Sequence, residues 1–470
     1  MGIRDLVILA IMITLIPMSL TRAWVGVLTY TWLSYMNPHR MSWNIERFHL
    51  ALIIAIVTIL SIFAAKDRKS IPWTRELVIV AIFVVYFAIT SAFAWYPDVA
   101  FNYYQEVIKT FLFTFLTTMM IYGQERIRVF TLVIIGSFGF YGVKGGIFTI
   151  LTAGNNTVWG PPGSFIGGNN EIGLVLMMMV PLATMVARTE ENKWVQRILY
   201  ATAILSAIAA MGTYSRGALL GLFVVCSFLF WQYRKYIIVV ILIAPIVFLG
   251  AKNFMPQKWL ERQQTMTSEE GVKGDESFMQ RVQAWGVAFN VAKERPFLGA
   301  GFLYDSESVI RNPQRWFDHA FFIREWSKGN RPRPAHSVYF QIMGDHGFLV
   351  LFLFILLLLS TYFRLGKISK ANLPSEGEYI KNYAKGTQIA IAGFCVSGTF
   401  LSLAYFDFLY GLVAFAAILQ RESDEWQNQA ITTANDKKIG KKISIASTHK
   451  KPIDPRVVKI RKLDRNNNKL

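Results

Sequence analysis

Charge is scarce in this chain. Of 470 residues only 17% are Asp, Glu, Lys or Arg, whereas 53% are hydrophobic. That balance excludes a water-soluble globular protein of this length and points to a membrane protein. Cysteine is nearly absent. The two present, Cys226 and Cys395, each fall inside an apolar run, which excludes a disulfide framework. Zinc-type Cys/His spacing, a Walker loop, a dinucleotide fingerprint and a paired acidic metal-binding motif are all missing. No metal and no cofactor are expected, and if a diphosphate is bound, cationic side chains replace a metal. No internal repeat is visible, and the two halves are unlike, which argues against a transporter built on inverted repeats.

What the chain does have is a series of apolar runs long enough to cross a bilayer. They lie near 3–21, 46–65, 74–95, 106–123, 127–150, 171–188, 196–213, 216–232, 236–251, 337–363, 386–404 and 407–421. The first is read as a retained span, since no small-residue cleavage site follows it. The run 23–36 is short, and is either a re-entrant or interfacial helix or a further span. The expected fold is an all-α polytopic membrane protein of about 12 transmembrane helices. Residues 1–251 form an N-terminal set of spans, 252–335 a large loop, 336–421 the C-terminal spans, and 422–470 a basic tail.

Charge sets the orientation. Lys66, Arg68, Lys69 and Arg75 share one loop, and Arg126, Arg128, Arg188, Lys193, Arg197, Arg234 and Lys235 mark the same side. Lys367, Lys370, Lys381 and Lys385 join them, with the tail, so these are cytoplasmic loops and both termini are placed there. The net charge of +19 then reflects a cytoplasmic tail near anionic lipid, not a nucleic-acid partner. The loops 96–105 and 153–170 lack Lys and Arg and lie outside, as does the large loop 252–335.

A loop of that length is usually functional. Within it Phe278, Val282, Trp285 and Phe289 recur at helical spacing, continued by Ala292, giving an amphipathic helix on the membrane surface or over a cleft. Glu294 to Phe302 then read as a helix stop and a tight Gly-rich turn, able to approach a ligand or only to turn the chain. The later Arg311, Arg315, Arg324, Arg331 and Arg333, with Trp316 and Trp326, form a basic, aromatic face that either rests on headgroups or receives a phosphorylated glycan.

The loop runs into a span through Pro334-Ala335-His336-Ser337-Val338-Tyr339, followed by Gly344-Asp345-His346-Gly347. His336 at a helix mouth could take a proton from a hydroxyl, or it could merely cap the helix. Tyr339 lies one turn on, on the same face. Gly344 and Gly347 would let another helix approach closely, and the deeper His346 reads as structural. In Thr213-Tyr214-Ser215-Arg216-Gly217, Arg216 interrupts two apolar runs on the outer side, either snorkelling to lipid phosphate or clamping a diphosphate. Arg281 sits on the amphipathic helix. The loop 153–170 is sharply turned, and Asn169 and Asn170 there could bind sugar hydroxyls. Lys144 interrupts a span, facing a cavity on a phosphate path or snorkelling outward.

With these residues in view, the chain resembles the O-antigen ligase and polymerase superfamily, which includes the WaaL-type ligases. Gly2-Ile3-Arg4-Asp5-Leu6, Tyr35-Met36-Asn37-Pro38-His39-Arg40 and Tyr141-Gly142-Val143-Lys144-Gly145-Gly146 are similar to its exosortase A-associated O-glycosylation ligases. The likeness covers roughly residues 1–425, and His336-Ser337-x-Tyr339 is its most specific part. It implies a GT-C-like membrane glycosyltransferase of the bacterial inner membrane, with its active site facing the periplasm. It implies an undecaprenyl diphosphate-linked glycan donor, a lipid A-core or protein hydroxyl acceptor, and metal-independent inverting transfer. Under that resemblance His336 is the general base, and Arg216 and Arg281 hold the donor diphosphate. A glycan polymerase, a protein O-oligosaccharyltransferase and a lipid-linked glycan transporter remain the alternatives.

Overall fold

A computed structural model describes residues 2–42, 45–232, 276–305 and 333–448. It is helical throughout these residues. In chain order the helices are α1 (Ile3–Thr21), α2 (Ala23–Met36), α3 (Leu50–Ala64), α4 (Arg75–Ala92), α5 (Pro97–Met120), α6 (Gly123–Leu151), α7 (Asn169–Ala187), α8 (Lys193–Gly212) and α9 (Arg216–Gln232). After residues outside the described set come α10 (Glu276–Glu294), α11 (Val338–Ile368), α12 (Glu378–Ser397) and α13 (Asp407–Thr448). Six of these, α1, α4, α6, α7, α8 and α11, are long and apolar enough to cross a membrane, and α3 and α9 are shorter apolar helices. The expected span 236–251 lies outside the described residues.

The bundle has a centre and a rim. In its most apolar stretch α7 is 83% buried, whereas α1 is 22% buried, so α7 is the axial helix and α1 lies at the rim. An apolar helix with no polar face must be wrapped on every side by protein or lipid, and α7 takes the protein solution. Close approach is carried by small residues. Along α6, Gly139, Gly142, Gly145 and Gly146 meet Thr202, Ser206, Ala209 and Leu205 of α8, and a Cβ on Gly142 would come 2.0 Å from the Ser206 hydroxyl.

The loops expected on one side do gather at one end of the bundle. Arg126 pairs with Asp67 at 2.8 Å, Lys69 with Glu425 at 2.6 Å and Arg128 with Glu190 at 2.8 Å. Arg364 of α11 reaches the buried Glu76 of α4 at 2.7 Å, tying two long helices at this basic end. The helix α13 continues past residue 421 without a break to Thr448, a length of about 63 Å.

The path of α2 decides where the N-terminus lies. Trp24 sits under the Arg126 guanidinium, 5.5 Å from ring centroid to carbon, which places the start of α2 at the basic end. At the other end, Tyr141 donates its hydroxyl to the Met36 carbonyl oxygen. So α2 runs through the bundle with most of its residues buried, and does not lie along its edge. Ile8 and Met12 of α1 pack with Leu33 of α2 and Leu50 and Ile54 of α3, so α1 starts at the end away from the basic one. The N-terminus is therefore opposite the side that charge counting assigned to it. The reason is that a 14-residue helix falls below the length expected of a span and was not counted as a crossing.

The loop helix α10 does not lie alone on a surface. Its buried seam is Ala284, Val287, Ala288, Val291 and Ala292, packed on α11 through Met343. The aromatic line seen in the sequence flanks that seam. Trp285 stacks on Phe340 at 5.0 Å and 3°, and Phe289 meets Phe348 edge-on at 5.9 Å. Small side chains let the two helix axes come close, and the rings close the sides of the seam.

Candidate functional site

The candidate site residues His336 and Arg216 lie at the end of the bundle opposite the basic loops. His336 precedes α11 by two residues and has a φ of 44°, in the left-handed region. A non-glycine residue held there carries strain, which surrounding contacts must hold in place. Those contacts come from α10 and from the turn after it. The Trp285 indole donates to the Ala335 carbonyl oxygen at 2.7 Å, and the Ala335 N–H donates to Asp305 at 3.3 Å. Arg333 donates to Gln280 at 2.6 Å. The residues on either side of His336 are thus pinned, and Ala335, Ser337 and Val338 are buried while His336 itself is half-buried. The Ser337 hydroxyl is buried with no hydrogen-bond partner among the described residues. One turn on, Tyr339 donates to the Cys395 carbonyl oxygen at 2.8 Å, fixing α11 against α12.

Burial pushes the His336 imidazole below the ordinary histidine range, and the nearby cations Arg281 and Arg333 push it the same way. Arg281 therefore lies close enough to His336 to act on its charge. Arg333 belongs with them, and sequence reasoning left it as one of a run of basic loop residues.

Arg216 opens α9 on the same end of the bundle. Tyr214 turns the chain at a φ of 58°, and Ser215 caps α9 by accepting from the Ala218 N–H at 3.2 Å. Asn169, the first residue of α7, donates its amide to the Thr213 carbonyl oxygen at 2.9 Å. Gly173 lets α7 sit against Ala218 and Thr213, where a Cβ would come within 2.8 Å of each. Next to Arg216, Gly217 abuts the Ser397 carbonyl and Phe400, and in the same turn Gly398 abuts Val338. The turn 397–400 is thus the shared floor on which the Arg216 step and the His336 step both rest. The helices α7, α9 and α11 all begin at this end, so their N-terminal N–H groups add a positive field there.

Not every expected residue joins this cluster. Asn170 is half-buried in the first turn of α7, with its neighbour Asn169 making the contact to Thr213. Lys144 is exposed on α6, on the side away from the glycine seam toward α8. An exposed lysine there fits the snorkelling reading. Arg311, Arg315, Trp316, Arg324, Trp326 and Arg331 lie outside the described residues, as do residues 252–275.

Beneath His336 the helix is broken. Gly347 has a φ of 82°, and the turn after α10 docks into the break. The Ala300 and Gly301 N–H groups donate to the Gly344 and Asp345 carbonyl oxygens at 3.0 and 2.9 Å, and the Phe348 N–H donates to Pro296 at 2.8 Å. The backbone groups freed by the break are thereby satisfied. The expected partner of Gly344 and Gly347 was a second helix; the structure puts this Gly-rich turn there instead. A Cβ on Gly299 would come 2.4 Å from the Asp345 carbonyl oxygen, which only glycine permits. Asp345, fully inside, accepts from Tyr405 at 2.7 Å. His346 is buried, stacked on Phe87 at 4.0 Å and bonded to Thr90 at 2.8 Å, as its structural reading expected. Tyr405 and Asp305 carry no motif, and only their packing reveals them; Asp345 stands inside the Gly344–Gly347 stretch, and only its packing gives it a role. Among the described residues no three His, Cys, Asp or Glu side chains come together as a metal site.

No curated protein matches the chain. Residues 3–191 match the model of a family of unknown function. Residues 201–355 match the family model described as O-antigen ligase. That stretch runs from α8 into α11 and holds Arg216, Arg281, Arg333 and His336. The chain, a multi-pass helical membrane protein, thus carries a domain of the O-antigen ligase and polymerase superfamily.

Proposed function

We propose that this protein is an O-antigen ligase. It moves a glycan from undecaprenyl diphosphate to a sugar hydroxyl of lipid A-core, at the periplasmic face of the bacterial inner membrane. About twelve spans hold it there, with the basic end in the cytoplasm. Closeness to the exosortase A-associated ligases rests on the residue resemblance alone.

The observation that carries this reading is the placement of the His336 imidazole, pinned at the mouth of α11, beside the guanidinium groups of Arg281 and Arg333. In the proposed step the acceptor oxygen bonds to the anomeric carbon from the face opposite the leaving group. The bond from that carbon to the diphosphate oxygen breaks, and its electron pair leaves with the diphosphate. The acceptor proton passes to His336, a contribution of roughly 10²–10⁴-fold. Arg216 and Arg281 stabilise the growing charge on the leaving diphosphate, helped by Arg333 and the helix N-termini. Loss of one such contact costs on the order of 3 kcal/mol of barrier. Asn169, Asn170, Tyr339 and Lys144 are proposed as substrate-side residues, of which Lys144 has the weakest support because it faces away from the bundle.

The test is a reconstituted reaction with labelled lipid-linked glycan. Label is expected in lipid A-core, with release of undecaprenyl diphosphate, and His336→Ala and Arg216→Ala should each lose it while still inserting normally. Label in protein, or in longer lipid-linked chains, would reassign the acceptor and make the chain an O-oligosaccharyltransferase or a polymerase. Full activity of His336→Ala would remove the basis for the proposed chemistry. Movement of intact donor with no bond broken would make it a transporter.

A further inference from the structure

A small cavity lies inside the bundle, between α2, α5 and α13. Its volume is about 30 Å³, more than the roughly 10–15 Å³ that one water needs. Oxygen-bearing side chains form most of its wall. Thr110, Thr114 and Thr117 follow one another along one face of α5, Thr31 and Ser34 come from α2, and Asp407 is the first residue of α13. The hydroxyl protons of this wall are largely in use. Thr31 donates to the Val27 carbonyl oxygen at 2.8 Å, Thr114 to that of Thr110 at 2.8 Å and Thr117 to that of Phe113 at 2.7 Å, each within its own helix. Ser34 donates across to the Asp407 carboxylate, joining α2 to α13. What these oxygens still offer the cavity is lone pairs.

The wall selects its occupant by charge and by donor type. No Lys, Arg or His lines the cavity, and among the described residues none pairs with Asp407. Tyr30 and Tyr35 complete the wall, and neither hydroxyl is bonded to the carboxylate. A carboxylate held inside a bundle without a counter-charge is costly. Acceptor oxygens gathered around one such carboxylate favour a cation. An all-oxygen ligand set suits a hard ion, and divalent ions of that kind commonly draw on more than one carboxylate. The single negative charge here balances a single positive one. Tyr30, Ser34 and Phe113 also line a larger groove between α2, α3 and α5, which gives an ion its way in. We propose that Asp407, with Ser34 and the hydroxyls along α5, binds a monovalent alkali cation that ties α13 to α2 and α5.

Binding of radioactive sodium ion to the purified full chain in detergent tests this, with choline as the balancing cation. The measurement is made at about pH 8, well above the ordinary carboxyl range. Saturable binding of a single ion per chain is expected. Asp407→Asn keeps the shape of the side chain and removes its charge, and should weaken binding about tenfold or more. Asp424→Asn, an exposed carboxylate farther along α13, should leave binding intact. Should Asp407→Asn not fold, Thr114→Val removes one acceptor oxygen, leaves the carboxylate in place and should weaken binding severalfold. No saturable binding by the wild type overturns the proposal, and would give Asp407 a proton in place of an ion. Binding undiminished in Asp407→Asn, or in Thr114→Val where that variant is the one read, also overturns it. So does displacement of sodium by a lower concentration of calcium, which would make the site divalent. None of these outcomes depends on glycan transfer, so a failure of the ligase reading leaves this test standing.

Discussion

Trp285 donates its indole N–H to the carbonyl oxygen of Ala335 at 2.7 Å, one residue before His336. The same indole is stacked on Phe340 of α11, so one side chain links the loop helix, the span and the peptide carrying the proposed base. Trp285→Phe keeps a ring for the stack and removes the donor. The lost bond is worth about 1 kcal/mol, and the fold should survive it. A strained His336 with one anchor fewer should wander from its attack geometry. Transfer is expected to fall about tenfold in kcat with little change in donor KM. An unchanged kcat would show that this bond does not position the base.

The pH dependence of transfer should report His336. A base must be neutral to accept a proton, so the rate falls as pH drops through its pKa. Burial, Arg281 and Arg333 hold that pKa below the ordinary 6.5. The acid limb of the profile is therefore expected below pH 6.5, with a plateau above it. Arg281→Gln removes one of the depressing cations. Its limb should move up in pH, alongside the loss of donor affinity. If the limb stays in place in Arg281→Gln, the two groups are not coupled in the working enzyme.

Much of this was open to reading before any coordinates. Scarce charge and long apolar runs gave the helical membrane class, and Lys and Arg placement gave the shared end of most loops. The pairs Arg126–Asp67 and Lys69–Glu425 lie where that placement put them. The path of α2 was harder to read, because 14 residues carry too weak a length signal. His336, Arg281 and Arg216 stood out because charged or titratable side chains interrupt apolar patterns. Asp305 and Arg333 did not. One is an ordinary acid after a turn, and the other is one of several loop arginines. Their place beside His336 follows from how α10 folds back on α11, a long-range contact with no local periodicity to announce it.

The break in α11 makes a sharp stability prediction. Gly347 holds a φ of 82°, and a Cβ there would come 2.4 Å from the Pro296 carbonyl oxygen. Gly347→Ala adds both backbone strain and a clash with backbone that cannot rotate away. The expected cost is several kcal/mol, seen as a lower unfolding temperature and poor recovery from the membrane. Gly136, on α6, has open space around its Cβ position. Gly136→Ala should be tolerated, and a similar loss in both variants would mean that the docked turn is not what Gly347 serves.

Asp305 offers a test of the same region through pH. Burial pushes its carboxyl from the ordinary 3.8 up to about 6. A carboxyl raised on folding holds its proton longer in the folded chain than in the unfolded one. Its contribution to stability is then fully present below about pH 4 and is lost as pH rises through about 6. Above that the fold carries a buried carboxylate that accepts the long Ala335 N–H bond at 3.3 Å. Asp305→Asn keeps an oxygen to accept that bond and carries no charge. The variant should therefore unfold at a higher temperature than the wild type near pH 7.5, and the gap should close as pH falls toward 4. The comparison is made by thermal unfolding of both proteins in one detergent across that range. A wild type that is the more stable at pH 7.5 would mean that the Asp305 charge is favourable where it sits. A partner such as a neighbouring guanidinium would then have to be drawing that carboxylate into the site with His336.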